Sequence, residues 1–309
     1  MKIIFSPECA RYESPGHPES PRRATGSVEL LRQNPRHEFL AAQPCDEADI
    51  LRVHTPRLLE QVRRGESDDP DTPAIAGIFE HARRSAGAAI QAASLGWRGT
   101  RAFSLMRPPG HHACRDRVMG FCYFNNVAIA LARLLAEPGG PRRVAIVDFD
   151  CHHSNGTEEI FRGSKEVLCV SLHQNPCYPG TGLRSEGNSL NYPLPPETSP
   201  AQYLEVFAQV LEEARKFGPE LVAVEAGFDA YKRDPITDMR LEIETFGEIG
   251  RRLAALRLPM FALLEGGYSS QLPKCVAAFL DGWEGGSAAQ PCDGWADAES
   301  GNDFFCRSC

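Results

Sequence analysis

The sequence predicts an α/β fold in which a mostly parallel central sheet is flanked by helices. Short apolar runs rich in β-branched residues, which are typical of buried strands, alternate along the chain with longer segments of helical periodicity. Such alternation is typical of parallel sheets with helices on both faces. No internal repeat and no linker divides the 309 residues, so we expect one domain over residues 1–284.

The elements follow in order along the chain. The predicted strands cover residues 2–5, 100–106, 144–149, 166–173, 221–227 and 260–267. The predicted helices cover residues 24–33, 47–63, 79–95, 125–137, 201–217 and 243–256, with a further helix starting in the segment SNGTEEIF. Pro56 is expected to start a new turn within the second helix. The alanine-rich third helix is expected to pack closely against the sheet.

Two segments carry no strand or helix pattern. The acidic, turn-rich segment 65–73 is expected to be an exposed loop. The C-terminal segment 285–309 loses periodicity and is expected to be extended or partly disordered. Cys306 and Cys309, with Cys292, allow a small metal knuckle as an alternative, but a single pair without a second one favours a free tail.

Composition excludes several classes of protein. A formal net charge of −8 and a pI near 5.7 argue against a nucleic-acid binder that relies on a general basic surface. The eleven cysteines, an odd number, are typical of reduced thiols. The N-terminal apolar run is too short for a signal peptide, and no segment approaches transmembrane length. We therefore expect a soluble, cytoplasmic protein without nucleic-acid or membrane partners.

The segment 144–157, VAIVDFDCHHSNGT, carries the strongest chemical signal. In an extended chain Asp148, Asp150 and His152 share one side, because alternate side chains point the same way. Two carboxylates and an imidazole at the end of a buried strand are costly unless a positive charge lies among them, and a divalent metal ion supplies it. The alternative is structural: Asp150 or Ser154 caps the helix that follows.

Polar side chains follow five of the predicted strands, at the point where each strand ends. They are His111 and His112, Asp150 and His152, His173, Asp229, and Tyr268. Because the carboxyl ends of parallel strands meet at one edge of a sheet, where open α/β folds hold their ligands, we expect these groups to converge. A lone histidine in such a place is more often structural, but two adjacent histidines after a Pro-Pro-Gly turn are harder to explain that way.

Six segments resemble, in order, the motif series of the histone deacetylase family. They are RPPGHHA (107–113), GFCYFNNVAIA (120–130), VDFDCHHSNGT (147–157), SLHQNPCYPGTG (171–182), GFDA (227–230) and LEGGY (264–268). The N-terminal HPESPRR (17–23) is similar to the class II branch of that family. The resemblance covers residues 1–283. It implies a single arginase/deacetylase-type domain and a zinc-dependent amidohydrolase that acts on acetylated amines.

The resemblance also implies which residues bind metal ions. The zinc ligands would be Asp150, His152 and Asp229, so Asp148 is released from the catalytic ion. Asp148 would instead hold a structural potassium ion. The other potassium ligands would be the hydroxyl of Ser171 and the main-chain oxygens of Leu172, Asp150 and His152. Zinc bound in this way keeps positions open for a water molecule and the amide oxygen. A manganese or iron enzyme on the same fold remains an alternative, because ligand type does not fix the metal.

Catalytic roles follow from the same resemblance. His112, oriented by Asn155, would be the general base and later the acid for the leaving amine. His111, held charged by Asp148, would supply electrostatic stabilisation. Tyr268 would donate a hydrogen bond from its hydroxyl to the substrate carbonyl oxygen.

The remaining implied residues contact the substrate or its product. Phe121, Tyr178 and Gly120 would line a tunnel for an extended acyl-lysine chain, and Arg23 would lie near an inner acetate channel. Ile236 stands where polyamine-preferring class II members have glutamate, which favours an acylated lysine substrate. Ser154 departs from the glycine usual in the family, and we infer no loss of activity from it.

Two other functions stay open at this point. The first is an acetylpolyamine amidohydrolase, for which the acidic loop 65–71 could bind the cationic substrate, although a solvated turn is the simpler reading of that loop. The second is a non-catalytic acyl-lysine-binding scaffold, against which the complete set of catalytic residues argues. Acyl-chain preference and oligomeric state do not follow from the sequence.

Overall fold

Eight parallel strands form the centre of the protein in the computed structural model, which describes residues 1–285. The strands are β1 (Lys2–Phe5), β2 (Glu38–Ala41), β3 (Ala102–Ser104), β4 (Val144–Asp148), β5 (Val167–Gln174), β6 (Ser189–Leu194), β7 (Leu221–Ala226) and β8 (Met260–Leu264). Their spatial order is β2-β1-β3-β8-β7-β4-β5-β6, and every pairing is parallel. The predicted α/β fold is therefore confirmed, with a sheet that is wholly parallel.

Helices flank this sheet within the described residues. They are α1 (Arg22–Leu31), α2 (Glu47–Ile50), α3 (Pro56–Arg63), α4 (Ile78–Trp97), α5 (Asn126–Ala136), α6 (Asn155–Phe161), α7 (Pro200–Phe217), α8 (Ile243–Ala255) and α9 (Leu272–Gly285). None of the helices in residues 1–285 is both long enough and apolar enough to cross a membrane.

The central strands are buried along their whole length. All residues of β4, β5, β7 and β8 are buried, as expected for strands that helices cover on both faces. Near-continuous apolar runs such as VAIV and LVAV produce this burial. The sequence predicted these four strands because a short, continuous apolar run is typical of a strand that is buried on both faces.

The two edge strands were not predicted. β2 has exposed residues at both ends, and β6 carries Pro193, which lacks a backbone N–H group. An edge strand pairs on one side only, so its sequence keeps polar residues and proline that hide the strand pattern. The predicted strand 100–106 is also shorter in the structure, where β3 covers only Ala102–Ser104.

The predicted helix 47–63 is two helices, α2 and α3. Pro56 is the first residue of α3, and the hydroxyl of Thr55 accepts a hydrogen bond from the backbone N–H of Leu58 at 3.3 Å. Proline favours the first helical turn but cannot continue a helix that precedes it, which explains the break. Helix α9 was not predicted at all.

Helix α4 packs against the sheet as closely as its alanine content predicts. A Cβ atom on Gly96 would lie 2.9 Å from the carbonyl oxygen of Met260 in β8, and one on Gly87 would lie 1.9 Å from the carbonyl oxygen of Gln43. Small residues on this helix therefore allow contact with neighbouring backbone.

Because all eight strands run in one direction, their carboxyl ends lie along one edge of the sheet. The loops after β3, β4, β5, β7 and β8 start from that edge. The domain boundary at residue 284 stays a prediction, since residues 286–309 lie outside the described part of the chain. The predicted tail and the alternative knuckle of Cys292, Cys306 and Cys309 lie there too.

Candidate active site

Three side chains from two neighbouring strands converge beyond the carboxyl ends of β4 and β7. Asp150 and His152 follow β4, and Asp229 follows β7. Their candidate ligand atoms all lie within 4.8 Å of one another, and all three residues are buried. The Nδ1 atom of His152 lies 2.9 Å from Oδ2 of Asp229 and 3.1 Å from Oδ1 of Asp150. This group can hold a metal ion.

The electrostatics of this cluster suit a cation. Burial raises the pKa of Asp229, and the negative charge of Asp150 raises it further. Burial opposes ionisation of Asp150 as well, yet His111 and His152 together keep the pKa of Asp150 below its usual range. Two buried carboxylates this close repel each other unless positive charge lies between them. Two carboxylate oxygens and one imidazole nitrogen form a normal donor set for zinc, so these residues fit that ion.

Glycines leave the room that the carboxylates occupy. A Cβ atom on Gly266 would lie 2.3 Å from Oδ2 of Asp229 and 2.5 Å from Oδ2 of Asp150, and one on Gly227 would lie 2.1 Å from the same Asp150 oxygen. The backbone N–H of Gly266 donates to Asp150 Oδ2 at 2.7 Å, and that of Cys151 donates to Asp229 Oδ1 at 2.7 Å. The backbone thus fixes both carboxylates in orientation.

Asp148 does not belong to the metal cluster, although strand alternation grouped it with Asp150 and His152. Strand β4 ends at Asp148, so the two-residue period does not continue beyond it. The carboxylate accepts a hydrogen bond from Nδ1 of His111 at 2.9 Å and one from the backbone N–H of Asp150 at 2.7 Å. Asp148 therefore supports the first histidine and the loop that carries the cluster.

The second histidine has a neutral partner. Nδ1 of His112 donates to the side-chain oxygen of Asn155 at 2.7 Å, which leaves Nε2 as a proton acceptor. The centroids of the His111 and His112 rings lie 3.9 Å apart. Burial, with the neighbouring His111 and His152, lowers the pKa of His112 well below its usual value. His112 is accordingly a neutral imidazole in this site.

Three of the residues expected to bind potassium lie on β4 and β5, and the other two, Asp150 and His152, follow β4. Asp148 pairs with Ser171 in the sheet register, and Leu172 follows inside β5. The hydroxyl of Ser171 lies 3.0 Å from Nδ1 of His173. His173, one of the polar residues expected at the sheet edge, thus contacts Ser171 and, through Nε2 at 3.0 Å, the carbonyl oxygen of Gly182.

Tyr268 lies on the turn after β8 and is half-buried. The guanidinium of Arg23 lies 4.8 Å from the centre of its ring. Burial raises the pKa of Tyr268 well above its usual value, and Arg23 opposes that rise, so the phenol stays protonated as a donor. Arg23 is itself buried and donates to the carbonyl oxygens of Gly267, at 2.7 Å, and Glu265. It thereby connects helix α1 to the segment 265–269, which carries Tyr268 and which we call the tyrosine turn.

The residues expected to line a tunnel surround the histidines and the tyrosine. The ring of Tyr178 stands edge-on to that of His112 at 5.1 Å, and the ring of Phe121 stands edge-on to that of Tyr268 at 5.6 Å. Ile236 is one of few large apolar side chains that are exposed among the described residues, at 38%. A Cβ atom on Gly120 would lie 2.4 Å from Cδ2 of His112.

Ser154 stands at the N-cap position of α6, but its side chain caps no helix amide. Asp150 binds backbone N–H groups of His152 and Gly266 instead. Neither side chain therefore accepts a hydrogen bond from the first turn of α6, and the capping alternative is wrong for both residues.

Sequence reasoning missed three buried acids around the site. Glu265 accepts hydrogen bonds from the backbone N–H groups of Gly110, at 2.7 Å, and His111, at 3.2 Å, and burial raises its pKa to about 8. Glu225 pairs with Asp148 in the sheet register, and burial raises its pKa well above the usual value. A signal was present in the sequence for both, because Glu225 is a lone acid inside the apolar run of β7 and Glu265 directly follows the apolar run of β8.

The third missed acid is Asp234, in the loop after β7. Its Oδ2 atom accepts hydrogen bonds from the backbone N–H groups of Tyr268, at 2.7 Å, and Ser269, at 3.2 Å. Burial, with the charge of Asp229, raises the pKa of Asp234 to about 7. The sequence carries no periodic signal for this contact, since it joins two loops.

Comparison with known proteins agrees with this geometry. A sequence model of the histone deacetylase domain matches residues 17–283. The chain belongs to the histone deacetylase family. It is 38% identical over 292 residues to a probable deacetylase of Archaeoglobus fulgidus, an alignment that covers 86% of this chain and 81% of that protein.

Two solved structures are similar to this chain. The HD domain of HDA15 has a TM-score of 0.85 and 31% sequence identity, with 92% of this chain and 88% of that chain covered. An acetylpolyamine aminohydrolase from Burkholderia pseudomallei has a TM-score of 0.80 and 30% identity, with 93% and 99% covered. The family resemblance, the fold and the assignment to the hydrolases of this family are thus confirmed.

Proposed function

We propose that this histone deacetylase family member is a zinc-dependent amidohydrolase that removes acetyl or other acyl groups from the N6 amine of lysine in proteins or peptides. The observation that supports the proposal most strongly is the buried cluster of Asp150, His152 and Asp229, with the neutral His112 beside it. Zinc bound by these three residues would lower the pKa of a water molecule and polarise the amide carbonyl.

The proton transfers fall to His112. Its Nε2 atom accepts a proton from the attacking water, because Nδ1 already donates to Asn155. The same atom then gives that proton to the leaving amine. His111, hydrogen-bonded to Asp148, would supply electrostatic stabilisation. Tyr268 donates a hydrogen bond from its hydroxyl to the carbonyl oxygen as negative charge develops there.

Substrate and product contacts complete the proposal. Phe121, Tyr178 and Gly120 would form the wall for the alkyl chain of the lysine, and the exposed Ile236 would lie at its rim. Arg23, which donates to the carbonyl oxygen of Gly267, would lie near the path of the acetate product. A structural potassium ion would be held by Asp148, Ser171 and Leu172, together with the main-chain oxygens of Asp150 and His152. A cytoplasmic location also stays a prediction.

An acetylpolyamine amidohydrolase is the second candidate. The similarity to the aminohydrolase of Burkholderia pseudomallei and the acidic loop 65–71 favour it, whereas the apolar Ile236 favours acyl-lysine. A non-catalytic scaffold is the third candidate, and the full set of catalytic side chains argues against it.

One substrate panel decides among the three. Zinc-reconstituted protein is assayed for acetate release from an N6-acetyl-lysine peptide, longer acyl-lysine peptides and N-acetylputrescine, with manganese- and iron-loaded samples alongside. Highest kcat/KM on acyl-lysine peptides supports the proposal, and highest kcat/KM on acetylputrescine replaces it with the second candidate. Peptide binding without turnover in every metal form would support the scaffold.

A further inference from the structure

The segment 119–122 makes a tight reverse turn beside the site. Met119 and Cys122 exchange backbone hydrogen bonds of 3.2 and 3.0 Å across it. The two central residues, Gly120 and Phe121, both have left-handed backbone angles, with φ values of +56° and +70°. Two successive positive φ values define a turn that normally selects asparagine and glycine. A bulky phenylalanine in that conformation is rare and needs support from its surroundings.

Two side chains of the loop between α3 and α4 provide that support. The hydroxyl of Thr72 accepts a hydrogen bond from the backbone N–H of Phe121 at 2.9 Å. Oδ2 of Asp69 accepts one from the backbone N–H of Gly120 at 3.1 Å and one from the Thr72 hydroxyl at 2.6 Å. Successive backbone N–H groups in a turn form a concavity that favours negative charge. Acid, hydroxyl and turn therefore form one closed hydrogen-bonded unit, which we call the Asp69–Thr72 clamp.

The exposed loop predicted for residues 65–73 is therefore only partly solvated. Thr72 is 1% exposed, and its hydroxyl serves as donor and acceptor at once. The loop also reaches the other side of the Phe121 ring. The carbonyl oxygen of Asp71 lies 3.1 Å from Nε2 of His17, whose ring stands edge-on to that of Phe121 at 4.5 Å.

Core packing alone does not fix the Phe121 ring. Cys122, Tyr123 and Phe124 are buried, but Phe121 is only half-buried. A small cavity of about 10 Å³ lies beside it, lined in part by His17 and Tyr123. The rings of Phe121 and Tyr268 are perpendicular, with their centroids 5.6 Å apart. The position of the ring consequently depends on its backbone, which the clamp holds.

We propose that Asp69 and Thr72 are positioning residues that hold Phe121 in the wall of the acyl-lysine tunnel and so set the affinity for the alkyl chain of the substrate. The role of the wall rests on the proposed function. Neither residue contacts the metal cluster or the proton-transfer groups. Loss of the clamp removes contacts that substrate and transition state share, which raises KM and leaves kcat nearly unchanged.

The test uses three variants of the full-length, zinc-loaded protein. Thr72→Val removes the hydroxyl at nearly constant volume, Thr72→Ser keeps it, and Thr100→Val makes the same chemical change next to the amino end of β3, away from the site. Thr72→Val should raise KM for an N6-acetyl-lysine peptide by about tenfold with kcat changed less than about twofold. Thr72→Ser and Thr100→Val should retain the wild-type KM.

Two further measurements separate the clamp from the metal site and from activity. A hydroxamate with a six-carbon linker should lose about tenfold in affinity for Thr72→Val, whereas acetohydroxamate, which has no linker, should bind as to wild type. Hydrogen–deuterium exchange of peptides covering residues 119–124 should be faster in Thr72→Val than in wild type and Thr72→Ser.

An unchanged KM together with unchanged exchange in Thr72→Val would overturn the proposal. So would an equal loss of affinity for both hydroxamates, or a fall in kcat with loss of zinc, because either result would mean general damage to the site. If the wild-type protein releases acetate from no substrate, the proposed function fails, while the exchange comparison still decides whether the clamp exists.

Discussion

Nδ1 of His112 donates its proton to an amide oxygen, that of Asn155, at 2.7 Å, whereas the adjacent His111 donates to the carboxylate of Asp148 at 2.9 Å. The two imidazoles are neighbours in sequence, but one is hydrogen-bonded to a carboxylate and the other to a neutral amide. A carboxylate stabilises imidazolium, and an amide does so far less. His112 is thus suited to accept a proton.

Replacing the amide by a carboxylate should change the pH profile. In Asn155→Asp the added negative charge stabilises the protonated form of His112 and raises its pKa. Because the general base must be neutral to act, the acidic limb of kcat/KM should move to higher pH by about one unit or more. The measurement is kcat/KM against pH on an acetyl-lysine peptide. An acidic limb at the wild-type position would show that His112 is not the base.

Tyr268→Phe should separate catalysis from metal binding. It removes one donor to the developing oxyanion, a loss that typically lowers kcat by about a few hundredfold. The hydroxyl is not among the candidate metal ligands, so zinc content should stay at the wild-type level. Turnover and elemental analysis on the same preparation provide the check. Near-normal turnover would remove Tyr268 from the mechanism.

Asp229→Ala should abolish zinc binding. It deletes one of three buried candidate ligand groups and also leaves the backbone N–H of Cys151 without its 2.7 Å acceptor. Zinc per chain, measured by elemental analysis after dialysis, should fall to near zero. Asp281→Ala, at an exposed aspartate that pairs with Arg36, serves as the control and should keep its zinc. Full zinc content in Asp229→Ala would exclude this residue as a ligand.

Gly266→Ala should disturb both carboxylates of the cluster. The added methyl group would lie 2.3 Å from Asp229 Oδ2, so something in the cluster must move, at a cost of about 1–3 kcal/mol. The midpoint temperature of thermal unfolding and the zinc content should both decrease. Gly247→Ala is the matched control, because there the nearest atom is 3.4 Å away. Equal stability and zinc content in the two variants would contradict the tight fit around Gly266.

Ile236→Glu should shift substrate preference toward cationic amines. Ile236 is 38% exposed in the loop that follows Asp229, and its backbone N–H donates to Asp234 at 3.3 Å. A carboxylate at this rim would attract a distant ammonium group. We expect the ratio of kcat/KM for N-acetylputrescine to that for acetyl-lysine peptide to rise about tenfold, which corresponds to about 1.4 kcal/mol. Ile236→Gln, without the charge, should leave the ratio unchanged.

The fold was predicted correctly where a local sequence pattern is typical of one kind of element, the strand that is buried on both faces. The inner strands β4, β5, β7 and β8 are apolar along their whole length because helices cover both faces. The edge strands β2 and β6 were missed because an edge tolerates exposed residues and Pro193. Prediction therefore failed at the periphery, where packing demands less of the sequence.

For the site as well, local motifs indicated some groupings of residues, whereas contacts between distant loops were missed. Motif order pointed to Asp150, His152 and Asp229, which the structure brings together. Strand alternation added Asp148 to that group, and this failed because β4 ends at that residue. The contacts of Asp234 with the tyrosine turn had no sequence signal, since they join loops that are more than 30 residues apart.

The sequence by itself determined the α/β class, the order of the motifs and the residue types that can carry the chemistry, because each depends on local periodicity or composition. The family resemblance also implied that His111 meets Asp148 and that His112 meets Asn155. Only the tertiary structure decided the distances within these pairs, and that the Asp69–Thr72 clamp holds the Phe121 turn. Such pairings arise when the parallel strands bring distant loops to one edge, and no local pattern encodes the distance between them.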